Sequence, residues 1–577
     1  MKCGIEARVG IWYTKKESCR MEKDVSRMRN NGEKWMRKGR QRRYKLLLFV
    51  FAVLFFGGLT TASKVSGAGV GTTEDIRVGL KGKFSGKQSI TIYNTSLEVG
   101  YCDGREYSRE LQLSSEDGVT ITPEKSAFYT AEGVYLPTKA EESAKALSAT
   151  GAKAFAVLLA PGKAGIYVSV AENGGDEAET LRLFEKAAVQ CSVTPNRKVK
   201  SSAYLIRMTA GDRVLLADGA EGYYPQFMAA EKNKDGIYAV NLGERSYRGR
   251  MEIGRYGGKS TLTAVNVVPL EEYLYGVVPC EMPASWHTEA LKAQAVCARS
   301  YALIKAGYHA ETDIKRGFRM VDTVQSQVYG GISYEHARSS EAVDATKGET
   351  LCYENRTVTG YYCSGSGGHT ENVEDVWGFA IPYLQGVPDI YETNPSKKPW
   401  SVTLSKDELT RLLRSEGKDV GGVKKVMPEV VTSSGRVTSL RIIGSLGSVG
   451  LATDALRNVL ELASTKFAVF DSSSVPDFVT IQGASGTKEA AIHDCYVISG
   501  GGKVQNADGL TNQYVVLSAD NMTSFPRHAP KVGEYLFAGT GHGHGVGMSQ
   551  SGAYGMAEAG FEYKEILEHY FTGVSVR

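Results

Sequence analysis

The stretch VVPCEMPASWHTEALKAQAVCARSY, Val277 to Tyr301, places one carboxylate, Glu281, between Pro279 and Pro283, directly ahead of an alanine-rich helical pattern. Just upstream, PLEEYLYGVV spaces Leu270, Tyr273, Leu274, Val277 and Val278 at i, i+3, i+4, i+7 and i+8, the signature of one buried helical face. A proline pushes the residue before it out of the α region, so this helix is expected to stop at Pro279. Ser285 is the expected N-cap of the next helix, in which Leu291, Ala295, Ala298 and Ala302 form a narrow stripe suited to close packing. Glu281 is thus expected in a stiff elbow between two packed helices. Two effects on its acidity oppose each other there: Val277, Val278, Pro279, Met282 and Pro283 disfavour the charged form, whereas the N-terminus of the following helix favours it.

Working outward, the chain has 577 residues, 42% apolar and 23% charged, which is material for several folded domains and excludes a disordered chain. The net charge of +4 is small for this length, and nothing global points to nucleic acid. Much of the basic excess crowds between Lys34 and Lys45, against LLLFVFAVLFFGGLTTA, Leu46 to Ala62, which carries no charge. That pattern is expected to be a basic cytoplasmic tail (1–45) and an uncleaved single-pass membrane anchor (46–62), with everything after it exported; a cleaved signal sequence is the alternative. Seven cysteines follow the segment at irregular spacing, an odd number that makes no disulfide framework. GETLCYENRTVTGYYC reads as a hairpin turning near Asn355, which sets Cys352 opposite about Val358 and far from Cys363.

After a linker (63–74), strand-like alternation marks a β-rich module from about Asp75 to Thr122. AFAVLLA, GIYVSVA and DEAETLRLFEKAAV then read strand, strand, amphipathic helix, an order that resembles the glycan-binding SPOR repeat. The expected layout is an N-terminal β-rich and α+β region (75–200), connecting strands (201–246) and a long C-terminal domain (247–577). Strands and helices interleave there without a βαβ period or a G-x-G-x-x-G fingerprint, so the expected class is mixed α+β and not a doubly wound nucleotide fold.

LEEYLYGVVPCEMPASWHTEALKAQAVCARSYAL closely resembles the signature of the SpoIID/LytB family, the stage II sporulation protein D and amidase-enhancer group. The likeness continues through VDTVQSQVYGGIS, GYYCSGSGGHTENVEDVWG, PYLQGVPD, SGRVTSLRIIG and GHGHGVGMSQSGAYGMAEAGFEYKEILEHYFTGV, and covers about Tyr247 to Val574. It implies a lytic transglycosylase acting on peptide-free peptidoglycan strands in sporulation or cell-wall remodelling, with Glu281 as catalytic acid. The alternative is a non-catalytic glycan-binding activator of a cell-wall amidase. By the same resemblance, Arg299, Ser300, Tyr301, Gln327, Tyr329, Ser364, Ser366, Gly367, Gly368, Thr370, His544 and Gln550 are expected to bind substrate.

No cofactor is required for such chemistry, but a structural zinc is a further expectation. Cys363 and His369 stand five residues apart, which is not a standard zinc spacing, and His542 and His544 are the candidates to complete the set. His544 matches the family's GHGVGMSQ, whereas the position of His542 is usually aromatic. Cys280 and Cys297 read as small apolar substitutions and not as nucleophiles. Residues from about Asp471 to Val532 exceed the family core.

Overall fold

The computed structural model describes residues 75–103, 106–307, 317–392, 399–473 and 530–577, with strands between 478 and 526. The basic tail, the apolar 46–62 stretch and the linker lie outside the described residues. Among the described residues no helix is long and apolar enough to cross a membrane, so the single-pass membrane topology expected from 46–62 is not supported there. The mixed α+β class is observed.

Two eight-stranded sheets organise the first half of the chain. The first runs in the order Met320–Val321, Asp75–Gly79, Leu262–Pro269, Arg250–Gly254, Gln226–Ala229, Ser96–Asp103 and Glu106–Ser114, with Ser85–Lys87 also paired to Leu262–Pro269. Asp75–Gly79 lies antiparallel to Leu262–Pro269, Ile76 opposite Val268 and Val78 opposite Asn266. The sheet therefore crosses the boundary expected near Tyr247, because a strand from the N-terminal module completes the sheet from which the Glu281 helix departs.

The second sheet contains a unit with the chain order strand, helix, strand, strand, helix, strand: Phe128–Ala131, Pro137–Ala149, Ala154–Ala160, Lys163–Ser169, Glu177–Cys191 and Pro195–Lys200. Its four strands lie with the last beside the first, then the third, then the second, all antiparallel, which is the split βαβ arrangement. The Glu177–Cys191 helix starts at Asp176, whose carboxylate accepts the Glu179 N–H at 2.8 Å, and it buries Phe184, Ala187 and Ala188.

The second half is a helical cluster centred on Thr288–Gly307, which packs on Leu270–Glu281, Ala337–Ala345, Gln550–Glu558 and Tyr563–Tyr570. The apolar faces read from the sequence are the buried ones: Leu270, Tyr273, Leu274, Val277 and Val278 on the first helix, Leu291, Ala295, Ala298 and Ala302 on the second. A smaller lobe, with Val423–Val431, Val437–Gly444 and Ser448–Ala452 as one sheet, has its own core around Leu409, Leu440, Ile442 and Phe537. Residues 472–529 belong to a separate unit and carry three antiparallel hairpins, the first pairing Phe478–Gly483 with Gly486–Ala491.

The elbow differs from expectation in two respects. The first helix runs through Pro279 and ends at Glu281. The second begins at Thr288, where His287 and not Ser285 accepts the first free amide, that of Glu289, at 3.3 Å. The hairpin at Cys352 turns at Glu354 and Asn355, both with positive φ, and sets Cys352 opposite Thr357. Cys352 and Cys363 are both free thiols.

Candidate functional site

Glu281 is the last residue of its helix, half-buried at the point where the loop after Met320–Val321 docks. That docking is specific. Gly330 N–H donates to the Gly276 carbonyl at 3.2 Å, and the ring of Tyr329 would lie only 2.7 Å from a Cβ at Gly276, so glycine is what lets loop and helix close. The result is that Val328 N–H donates to Glu281 Oε1 at 2.7 Å. The Tyr362 hydroxyl supplies a second hydrogen bond to the carboxyl group.

Burial raises the pKa of Glu281 above the ordinary carboxylate value, and the Val328 and Tyr362 hydrogen bonds only partly oppose it. The helix dipole acts in the same direction as burial, because the carboxyl group sits at a C-terminal end; the N-terminus expected to favour the anion begins at Thr288, beyond a turn. None of the groups that set this acidity is a second carboxylate.

A buried relay orients Tyr362. Gln327, fully buried, accepts from the Tyr273 hydroxyl at 3.1 Å and donates through Nε2 to the Ala298 carbonyl at 3.3 Å and to the Tyr362 hydroxyl at 3.1 Å. Tyr362 and Cys363 form a short strand parallel to Met548–Ser549. Alternation along a strand sends neighbouring side chains to opposite faces, so Tyr362 meets Glu281 while Tyr361 packs on Trp377 at 4.8 Å and on Tyr301 at 6.0 Å. The arrangement can hold one protonated carboxylic acid at a fixed place in an aromatic surround.

Residues 258–353 match the family model for SpoIID, described as a stage II sporulation protein. Over 312 residues the chain is 33% identical to the amidase enhancer of Bacillus subtilis, covering 52% of this chain and 40% of that protein. It is 28% identical to stage II sporulation protein D of Bacillus amyloliquefaciens over 324 residues, 54% of this chain and 75% of the other. A 29% identity to an uncharacterized protein of Brachyspira hyodysenteriae extends over 371 residues, 64% and 81% of the two chains.

The resemblance to the SpoIID/LytB family is shown for the region these matches cover. The chain's match spans well under half the length of the amidase enhancer and about three quarters of the sporulation protein. Among the SpoIID-like residues expected to bind substrate, the fold brings Gln327 and Tyr301 to Glu281 and sends others elsewhere. Tyr301 is half-buried beside Ser326 and near enough for Glu281 to raise its hydroxyl pKa, which burial already pushes up to about 12. Arg299 is 1% exposed and points into the helical core, where it grips Glu271 through Nε at 2.9 Å and Nη2 at 2.8 Å and donates to the Glu349 and Val343 carbonyls. Ser300 joins the Val296 carbonyl to the Leu351 amide, and the Tyr329 hydroxyl donates to Asn266 at 2.8 Å. These three are core groups out of reach of a glycan.

The glycine-rich turn is fastened from behind. Ser366 Oγ lies 2.8 Å from Asp389 and 2.7 Å from Glu392, while the Gly367 and Gly368 amides donate to Glu392 at 2.7 and 3.2 Å. Thr370 is locked to Val387 through both its hydroxyl contacts, the Ser364 carbonyl accepts from Ser551, and Gln550 donates to Gln294. Trp377 packs on Tyr361 and Tyr383 on Tyr353.

The expected zinc ligands do not form a set. Among the described residues no group of three or more His, Cys, Asp or Glu is placed to hold a metal ion. Cys363 is buried with its thiol pushed up to about 11, and His369 Nδ1 is 2.6 Å from the Thr370 carbonyl. His544 has its pKa lowered to about 4 by desolvation and spends Nδ1 on the Val546 amide, while His542 pairs through its backbone with Gly365.

Sequence reasoning missed Tyr362 and the Val328 amide. The signal for the first lay in the Tyr361–Tyr362 pair entering a strand, which must aim one ring to each side.

Proposed function

We propose that this protein is a peptidoglycan lytic transglycosylase that cleaves the MurNAc to GlcNAc bond of peptide-free glycan strands, with Glu281 as the single acid and base. The carrying observation is Glu281 itself: a desolvated carboxyl at a helix C-terminus, fixed by Val328 N–H and Tyr362, with no second carboxylate among its partners. Protonated Glu281 gives its proton to the bridging oxygen as the bond from C1 breaks. The sugar's own C6 hydroxyl then closes on C1, and its proton returns to the Glu281 carboxylate. Atoms balance without water, and the product is a 1,6-anhydro end.

The experiment incubates the full chain with peptide-free glycan strands and compares it with Glu281→Gln. Anhydro ends from the parent alone support the reading; equal binding with no product from either refutes it. The relative named amidase enhancer supports a second reading, glycan binding that stimulates a cell-wall amidase. On that reading Glu281→Gln stimulates an added amidase as well as the parent does.

A further inference from the structure

A pocket of about 320 Å³ opens on the first sheet and is lined by Arg77, Tyr101, Tyr223, Gln226, Glu252 and Phe318 among others. Its floor is a polar network. Arg77 donates to both Glu252 oxygens at 3.0 and 2.6 Å and through Nε to the Gly317 carbonyl at 2.7 Å. Tyr256 donates to Glu252, Gln226 accepts from Arg250 at 2.8 Å, and Arg250 pairs in turn with Asp75. The positive and negative groups of this floor network cancel and the Arg77 guanidinium is already committed, so the floor suits a neutral ligand; Arg319 is the remaining charged residue of the lining.

One polar group there is left over. The Tyr101 hydroxyl is buried, lines the pocket and has no hydrogen-bond partner among the described residues. A buried unsatisfied polar group costs about 1–3 kcal/mol, which a ligand oxygen would recover. At the same pocket Tyr223 is 47% exposed, offering an aromatic face beside polar groups that point inward.

The pocket is also joined to the catalytic neighbourhood. Phe318 and Arg319 line both it and an adjoining cavity of about 600 Å³, whose wall includes Tyr301, Ser326 and Tyr361. Tyr301 and Ala306, which line the two cavities, are on one helix, roughly 8 Å apart along its axis at the α-helical rise.

We propose that this pocket is a remote saccharide subsite, taking one pyranose ring of a glycan strand stacked on Tyr223, with the Tyr101 hydroxyl donating to a hydroxyl or acetamido oxygen. It rests on the reading of the protein as one that acts on glycan strands. Neither residue belongs to the Glu281 network.

The test titrates the full chain carrying Glu281→Gln, which holds strands without turnover, with long peptide-free glycan strands and with the GlcNAc-MurNAc disaccharide. Adding Tyr223→Ala or Tyr101→Phe is expected to cut the affinity advantage of long strands by about three- to tenfold, with the melting temperature of the free protein not lowered. Long-strand binding equal to that of the Glu281→Gln parent in both variants overturns the subsite. If the wild type releases anhydro sugar while binding ignores Tyr223, the subsite alone falls. If it releases none while binding depends on Tyr223, the transglycosylase reading falls and the subsite stands; no strand binding by Glu281→Gln overturns both.

Discussion

Replacing Arg299 with methionine separates a core role from a substrate role. The side chain is 1% exposed, its guanidinium faces both oxygens of Glu271, and the Glu271 side chain is itself only 13% exposed. Deleting the arginine leaves Glu271 with the Gly348 amide at 3.2 Å in place of an ion pair, and also frees the Glu349 and Val343 carbonyls. Breaking a buried pair from one side costs about 3–5 kcal/mol. That is a large part of the roughly 5–15 kcal/mol by which folded domains exceed their unfolded chains. The expected outcome in urea unfolding is a midpoint lowered to match, with the remaining folded protein keeping its KM for glycan. Adding Glu271→Leu should restore most of the loss, because two apolar groups replace two charges. A single variant that unfolds like the parent yet no longer binds glycan would refute this reasoning.

Burial sets the folded pKa of Glu281 above its unfolded value, so its contribution to stability is present in full below the unfolded pKa and is lost as pH rises through the folded one. Glu281→Gln should therefore melt higher than the parent at neutral pH, with the gain fading in acid, and kcat/KM of the parent should fall as pH rises through the same window. Tyr362→Phe removes a hydrogen bond that lowers this pKa, so the alkaline limb of the pH profile should move to higher pH, while kcat drops by about tenfold for one hydrogen bond to a charged group. At Gly552 a Cβ would stand 2.0 Å from the Tyr570 hydroxyl and 2.2 Å from Asp389, so Gly552→Ala should cost about 1–3 kcal/mol in the same unfolding assay.

What the sequence made legible is what local periodicity controls. Five apolar residues at helical spacing named the buried face of the 270–281 helix, and those five are buried. The helix end was misread for an energetic reason. A proline in a helix costs about 3 kcal/mol, whereas each fully buried apolar side chain contributes about 1.5–3 kcal/mol, so packing carries the helix two residues past Pro279. Ser285 lost its capping role to tertiary structure: Trp286 packs on Tyr554 at 4.9 Å, and the Pro283 to Trp286 turn postpones the helix. The fates of Arg299, Ser300 and Tyr329 depended on partners distant in sequence, Glu349, Leu351 and Asn266, about which spacing is silent. So did the entry of Asp75–Gly79 into the sheet beside Leu262–Pro269.

The distribution of carboxylates bears on the reaction. A hydrolase that activates water uses two carboxyl groups facing one bond. The chain does hold a close acidic pair, Asp389 and Glu392, but both are spent on structure. Asp389 is 2% exposed and takes the Tyr570 hydroxyl at 2.9 Å, and Glu392 gathers the Gly367 and Gly368 amides, so the two hold the glycine-rich turn to the body. Among the described residues Glu281 has only an amide and a phenol to work with, neither of which can deprotonate water at neutral pH. Cleavage in heavy-oxygen water should accordingly give anhydro ends free of the solvent label. Label at C1 of the new end, read by mass spectrometry, would mean that a second base reaches the bond and that Glu281 does not act alone.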